Sequence, residues 1–309
     1  MSFNSSTSND AVKTKLDAVV YQEINKPFSP DKLSYADEIV FRQSTADNSA
    51  VITDSYGGVG YFTSRSEEQD LPQASPRITN TKTTNIAAYS NSVVIPKHFF
   101  DDAKFDAIGK MMQDFGRLAR VTKDKVSQGI FRNAFTTQLT NDGDTFISDT
   151  HTTISGNTVD NKITTALTES SLETAIKGLM EQLTQDGTIA GYQPSVLIVP
   201  PALAKTAFII TESVLRPGTA NNDANWYSAK YGIVVKVGQF MGTAAGGSET
   251  AWFVLADGHN VYRFVRKELE TVLTPFQYTP NWEYVYSGEY REQYDTITYE
   301  GAFGSTGVS

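Results

Sequence analysis

Acid–base or metal chemistry in this chain would fall first to three histidines, His98, His151 and His259. They lie far apart, and none has a second histidine at a metal-binding spacing. Asp149-x-His151 offers two potential metal ligands, but an ordinary loop histidine is the simpler reading. Asn141-Asp142-Gly143-Asp144 looks like a fragment of a calcium loop without the glutamate that closes one, so a solvated turn is expected. Gly57-Gly58-Val59-Gly60 has no following Lys-Ser/Thr and no apolar strand feeding it, which excludes a phosphate loop. Gly246-Gly247-Ser248 lacks the second glycine of a nucleophile elbow. Asp101–Asp102 and Glu67–Glu68 are adjacent pairs, and neighbouring side chains do not face each other on a helix or strand. The chain has no cysteine, which removes disulfides, thiolate metal sites and cysteine nucleophiles. No catalytic constellation emerges, so neither an enzyme nor a cofactor is expected, and the weight moves to structure or binding.

The 309 residues are 39% hydrophobic, enough for one large or two ordinary domains with a real core. The formal charge of −9 argues against a dedicated nucleic-acid binder, which needs a basic face to neutralise phosphates. The N-terminus, MSFNSSTSND, lacks the basic-then-apolar order of a secretion signal, and the chain is expected to be soluble and made without export. Its longest apolar run, 196–204, contains two prolines and is far short of the roughly 20 residues that span a bilayer.

Along the chain, Val12, Leu16, Val19, Val20 and Ile24 predict a short amphipathic helix from Asp10, stopped by Pro27 and Pro30. Residues 46–89 are turn-rich, then charged, then rich in Thr and Asn; they read as a long, poorly hydrophobic β-hairpin rather than disorder. An isolated two-stranded hairpin is barely stable, so this one should lie on another surface, such as another subunit. From Phe99 to Phe135 apolar residues recur at three and four, predicting a helix of roughly 55 Å. Within it Met111–Met112 reads as core packing, and Gly109, Gly116 and Gly129 leave room for a bend. A second helix has Leu172, Ala175, Ile176, Leu179, Met180 and Leu183 as its buried stripe, with either Ser170 and Glu173 as a capping box or Thr168 as the cap. Val196–Val199 reads as a central strand, Ile233–Val237 and Trp252–Ala256 as further strands, and everything after His259 as β. No internal repeat shows at solenoid or propeller periods.

Several segments carry a resemblance in their order: Thr168-Glu169-Ser170-Ser171-Leu172, Tyr192-Gln193-Pro194, Val196 through Leu203, Tyr231 through Val235, Trp252 through Asp257, and an ending with Arg291 and Gly301-Ala302-Phe303. With an arm, a weak hairpin, a long helix, an α/β segment and a strand-rich tail, the chain resembles the major capsid proteins of tailed bacteriophages. These have the Hong Kong 97-type fold, and the chain looks most like the Mu-like head-subunit group, over about Ala11 to Phe303. The resemblance implies an α+β fold with an N-terminal arm (1–45), an extended hairpin loop (46–88), a peripheral domain with a long spine helix (89–162, completed by return strands 259–309) and an axial α/β domain (163–258). It implies a major capsid protein that self-assembles, through pentamers and hexamers, into an icosahedral head shell around phage DNA, built in the host cytoplasm and resident in the virion. Portal, scaffolding and decoration proteins would be its partners, DNA would be enclosed without sequence-specific contact, and no membrane would be involved. The chain shows no N-terminal scaffolding domain of the length some relatives carry, which implies a separate scaffold. Some members cross-link a lysine of the extended loop to an asparagine next door; Lys82 lies in that region, but no partner is identifiable and the bond is not predicted.

Within that frame Tyr56, Tyr61, Phe62, Arg65, Glu67 and Glu68 are expected to make the intersubunit contacts of the loop, because mixed aromatic and charged groups suit an interface rim. Two other readings share parts of the argument: an encapsulin-like cellular compartment, and another phage structural protein such as a tail-tube subunit.

Overall fold

The computed structural model describes residues 5–24, 41–67, 70–71, 73, 78–102, 104–213 and 230–307. Helix α1 (Ser5–Ile24) begins before the expected Asp10, and Pro27 and Pro30 lie outside the described residues. Strand β1 (Arg42–Thr45) follows, then β2 (Ala50–Tyr56), β3 (Ile78–Asn85) and β4 (Ala87–Pro96). The expected 37-residue spine is three pieces: α2 (Lys97–Asp101), α3 (Phe105–Ser127) and α4 (Gly129–Arg132). Periodicity alone ran through the two breaks. Lys104 leaves helical geometry at ψ 47°, and at the second break the Gln128 side chain accepts the Phe240 N–H at 2.6 Å, tying the joint to a distant loop. The straight portion, α3, is about 34 Å long.

Short strands β5 (His151–Thr152), β6 (Thr158–Val159) and β7 (Lys162–Ile163) lead to α5 (Glu169–Met180). Thr168 is its cap: the Thr168 hydroxyl accepts the Ser171 N–H while the Ser171 hydroxyl accepts the Thr168 N–H, a reciprocal box with Ser in place of the usual acid or amide. Then come β8 (Pro194–Val199), α6 (Ala204–Thr211), β9 (Val234–Val237), β10 (Trp252–Ala256), β11 (Val261–Thr274), β12 (Glu283–Thr296) and β13 (Ala302–Ser305).

Two main sheets result. One has the order β7-β13-β10-β8-β9, the other β1-β11-β12-β4. The final segment is thus divided: β11 and β12 form the long arms of the four-stranded sheet, whereas β13 crosses to pair with β10. The first sheet is buried on both faces, which explains its continuous apolar runs. Val196, Ile198, Phe253 and Leu255 face a core with Ile130, Phe131 and Phe146, while Leu197, Val199, Trp252 and Val254 face α5 and α6. Each fully buried large side chain contributes about 1.5–3 kcal/mol.

On the second sheet, α1 and α3 form a third core with Ile95, Leu273 and Tyr286. Their crossing depends on Gly116, where an added Cβ would sit 2.8 Å from the Val20 carbonyl oxygen; at Gly109 nothing lies within 4 Å. Both glycines weaken an isolated helix by about 1 kcal/mol relative to alanine. Gly109→Ala should therefore raise the unfolding midpoint by about 2 °C, and Gly116→Ala should lower it as α1 is pushed off. Thermal unfolding of the two variants side by side checks this, and equal shifts would show that α1 does not pack here.

Candidate assembly surface

Of the histidines and the Asp142 turn singled out by sequence, His151 and Asp142 are spent on holding a turn together. His98 is exposed and stands edge-on to Phe99. His151 is fully buried, stacked on Tyr299, with Nδ1 2.7 Å from Asp142 Oδ2. Its partner is thus Asp142, nine residues away, and not Asp149. Asp142, Asp144 and His151 bring one ligand atom each within 4.8 Å of one another, a spacing that suits a metal ion. However, Asp142 Oδ1 already accepts the Thr140 hydroxyl and the Asp144 N–H, and Oδ2 is taken by His151. Burial pushes the Asp142 carboxyl up, but those hydrogen bonds and the His151 charge outweigh it and leave it below the ordinary range. The expected solvated turn is therefore a turn pinned from inside.

The same construction recurs. At 140–144, 153–157 and 184–188 a threonine N–H donates to the carbonyl four residues on, at 2.9, 2.9 and 2.8 Å. The glycine N–H donates back to the threonine carbonyl each time. The threonine hydroxyl meets the side chain two residues on: Asp142, Ser155 and Asp186. The glycines, Gly143, Gly156 and Gly187, have φ of 90°, 85° and 82°, a region that a Cβ disfavours. The pattern Leu-Thr-x-Asp-Gly at Leu139–Gly143 and Leu183–Gly187 was the available signal, too short and irregular to register as a solenoid or propeller period.

The third turn seats the hairpin. Asp186 Oδ2 accepts the Gly60 N–H at 3.0 Å, and a Cβ at Gly58 would meet that oxygen at 2.7 Å. The Thr184 hydroxyl, with Thr188 and Gly60 in support, holds the Asp186 carboxyl down to about 2. The Ile189 N–H donates to the Tyr61 hydroxyl at 2.8 Å. The hairpin itself is present as expected: β2 pairs antiparallel with β3, from Ala50↔Asn85 to Tyr56↔Ile78.

Its base is fixed by a second anchor. Lys82 Nζ donates to Asp295 Oδ1 at 2.6 Å, the Thr296 carbonyl at 2.6 Å and the Leu139 carbonyl at 2.7 Å. Thr84 and Gln138 donate to the same carboxylate. An ammonium has three N–H groups, and all three are used inside the chain. Lys82 is a structural clip.

Beyond these anchors the few large apolar side chains of the hairpin are largely uncovered. Ile52, Val59, Tyr61, Phe62, Leu71 and Ile78 are exposed, Phe62 completely. Of the residues expected to make contacts, Tyr61, Phe62, Arg65 and Glu67 lie on this exposed stretch. Tyr56 ends β2 with its side chain outside the described residues, as is Glu68. Among the described residues the β2–β3 pair is a separate two-stranded sheet, with an edge of each strand open to further pairing. Ile52 and Ile78 lie on the two strands, and Val59, Tyr61, Phe62 and Leu71 on the segment that joins them.

A family model described as phage capsid protein matches residues 79–307. No curated protein matches the sequence. Among solved structures the chain is similar to the mature capsid of bacteriophage PhiM1, at 12% identity over 91% of this chain and 88% of that one, TM-score 0.55. It is similar to the capsid of cyanophage P-SCSP1u, at 12% identity over 91% and 90%, TM-score 0.55. It is also similar to a virus-like particle from Pyrococcus furiosus, at 12% identity over 94% and 98%, TM-score 0.52. At these identities the likeness is one of fold, and it runs nearly end to end.

Proposed function

The chain belongs to the phage capsid protein family, and from that premise we propose how it builds a shell. It is a structural protein of the virion with the Hong Kong 97-type fold, and its copies associate with one another into the closed icosahedral head. The observation that carries the mechanical reading is the hairpin: anchored by Lys82 on β3 and by Asp186 beyond the end of β2, it leaves Phe62, Val59, Ile52 and Ile78 exposed. Laid on an adjacent subunit, that surface is buried and the open strand edges gain partners. Such head-to-tail contacts join unlike patches, and their curvature closes the sheet of subunits. Tyr56, Tyr61, Phe62, Arg65, Glu67 and Glu68 are the contact residues in this reading.

We read 1–45 as the arm, 46–88 as the extended loop, 89–162 with the β11–β12 arms as the peripheral domain, and 163–258 as the axial domain. Strand β13 is added to the axial sheet because it pairs with β10. Within the family we place the chain nearest the Mu-like head subunits, on the ordered segments from Thr168 to Phe303. Portal, scaffolding and decoration proteins are the further partners proposed. A net charge of −9 suits a container that must not grip the phosphates of its DNA. An encapsulin-like compartment is the second reading, since a virus-like particle shares the fold; the family match favours the virion shell.

Electron microscopy with sedimentation tests the mechanism. The intact chain should give closed shells or rings of five and six, with scaffold protein added if needed. A chain lacking residues 54–77 should fold but form no stable shells. Phe62→Ser should leave the subunit's unfolding midpoint within about 1 °C of the parent, because a fully exposed side chain contributes little to the fold, yet shift shells towards free subunits. Normal shells from the deletion would overturn the role given to the hairpin.

A further inference from the structure

A two-stranded hairpin with few apolar groups has no core of its own to orient it, so its direction is set by what touches it from outside. Each of the three matched turns does so. Beside the 140–144 turn, the Leu139 carbonyl accepts from Lys82 Nζ. In the 153–157 turn, Ile154 lies against Gly57, where an added Cβ would rest 3.4 Å from Ile154 Cδ1. In the 184–188 turn, Asp186 Oδ2 accepts the Gly60 N–H, and Ile189 just beyond it donates to Tyr61. Three turns of one construction form a cradle under one element.

Two fixed points give a rod its direction, where one leaves it free to swing. Thr53 pairs with Lys82 across the hairpin, and Gly58 lies five residues further along the chain, no more than about 18 Å away. The inner point is the Lys82–Asp295 network. The outer point is rigid for a different reason. Asp186 Oδ1 accepts the Thr184 hydroxyl, the Thr188 hydroxyl and the Thr188 N–H, so the carboxylate is held from its far side. Its other oxygen stands 2.7 Å from where a Cβ on Gly58 would be. With the carboxylate pinned, a side chain at Gly58 has to move the hairpin by about 1 Å to reach ordinary contact. Gly57 has no such constraint, because its added Cβ would already sit at ordinary contact.

We propose that Asp186, held in its turn by Thr184 and Thr188, is the positioning residue that sets the direction in which the hairpin leaves the subunit, and with it the angle between neighbouring subunits. The rotation between head-to-tail copies decides whether they close. A displacement of about 1 Å at Gly58 turns the hairpin by roughly 3° about the Lys82 anchor, and the same rotation recurs at every contact of the shell. The link to curvature rests on the hairpin being the contact arm; the direction itself does not.

Spin-label distances in the unassembled full chain test the direction. The chain has no cysteine, so Phe62→Cys with Phe208→Cys gives a single labelled pair, at two exposed positions on the hairpin tip and on α6. One narrow distance is expected in this background. Asp186→Ala should broaden it several-fold, Gly58→Leu should shift its mean, and Gly57→Ala should leave it unchanged. Gly58→Leu leaves the 184–188 turn intact, so it remains informative if Asp186→Ala fails to fold. Electron microscopy of the same substitutions without the labels should show shells of altered diameter, or open sheets, for Asp186→Ala and Gly58→Leu alone. Unchanged distances in both variants overturn the positioning role. Changed distances with shells of parental diameter overturn its link to curvature. A parent that forms no shells, with the distances as expected, counts against the hairpin as contact arm and not against Asp186.

Discussion

Lys82→Met should destabilise the subunit by about 3–5 kcal/mol, the range for removing one partner of a buried ion pair. The side chains of Lys82 and Asp295 are 16% and 12% exposed, so water replaces little of what is lost. Methionine keeps most of the apolar stem but leaves Asp295 charged, with only the Thr84 hydroxyl, the Gln138 amide and its own neighbour's N–H as donors. The Leu139 and Thr296 carbonyls lose their donor as well. Asp295→Asn should cost less, since an amide oxygen still accepts from Lys82. The double variant should cost clearly less than the sum, because both changes act on one network. Urea unfolding of the four proteins gives the coupling energy. Hydrogen exchange should show the amides of β3 losing protection in Lys82→Met while those of β10 keep theirs. A loss below about 1 kcal/mol, or additive effects, would mean that the network is not the anchor. The same geometry argues against Lys82 as a cross-linking residue, because freeing its nitrogen for a neighbour would first break three hydrogen bonds.

The legible parts of the fold were those set by neighbours in sequence. Val196–Val199 and Trp252–Ala256 read as central strands because every side chain is apolar, and both faces of their sheet are buried. The α5 cap was legible only in part: Thr168 was one of two candidates beside a Ser170–Glu173 box, and Ser171, a serine where the box usually has an acid or amide, was not singled out as its partner. The α1 stripe was legible because its spacing is local, with Leu16 and Val20 buried as spaced. The spine helix was overextended because a three-four period carries no information about Gln128, whose role is to bind Phe240, 112 residues later. The two hairpin anchors were invisible for a stronger reason. Lys82 meets Asp295 across 213 residues, and Gly60 meets Asp186 across 126. No local pattern encodes such distances. The contact surface itself was legible in kind, since a hairpin poor in apolar groups has to find another surface. What sequence could not say is which of its few apolar residues remain exposed: Ile52, Val59, Tyr61, Phe62, Leu71 and Ile78 do, while Val51 and Ile86 are half-buried. The Gly57–Gly60 run, dismissed as a phosphate loop, turns out to matter through backbone approach, with Gly58 and Gly60 fitting against Asp186.

Acid should weaken the subunit through His259 before it reaches most carboxylates. His259 is 5% exposed, and its Nδ1 accepts the Val261 N–H at 3.3 Å, so that nitrogen carries no proton. Gly301 packs on its backbone so closely that a Cβ there would come within 2.7 Å of the His259 Cα. Burial, and then the positive charge of Arg42, push the imidazole down to about 4, with Asp257 opposing. A free histidine takes its proton near 6.5. The unfolded chain therefore binds the proton first, and stability that is complete above about pH 6.5 is lost as pH falls toward 4. Each unit of separation is worth about 1.4 kcal/mol, so the loss approaches about 3 kcal/mol at pH 4. His259→Asn supplies an oxygen where Nδ1 accepts and has no proton to take up. Its stability at pH 7 should be slightly below the parent's, but the drop between pH 7 and pH 4.5 should shrink by about 2 kcal/mol. Asp142, whose carboxyl is held low, contributes in the same direction only at still lower pH, and does so equally in both proteins. Urea midpoints at pH 7, 5.5 and 4.5 separate the cases: identical pH slopes in parent and variant would place the acid sensitivity elsewhere.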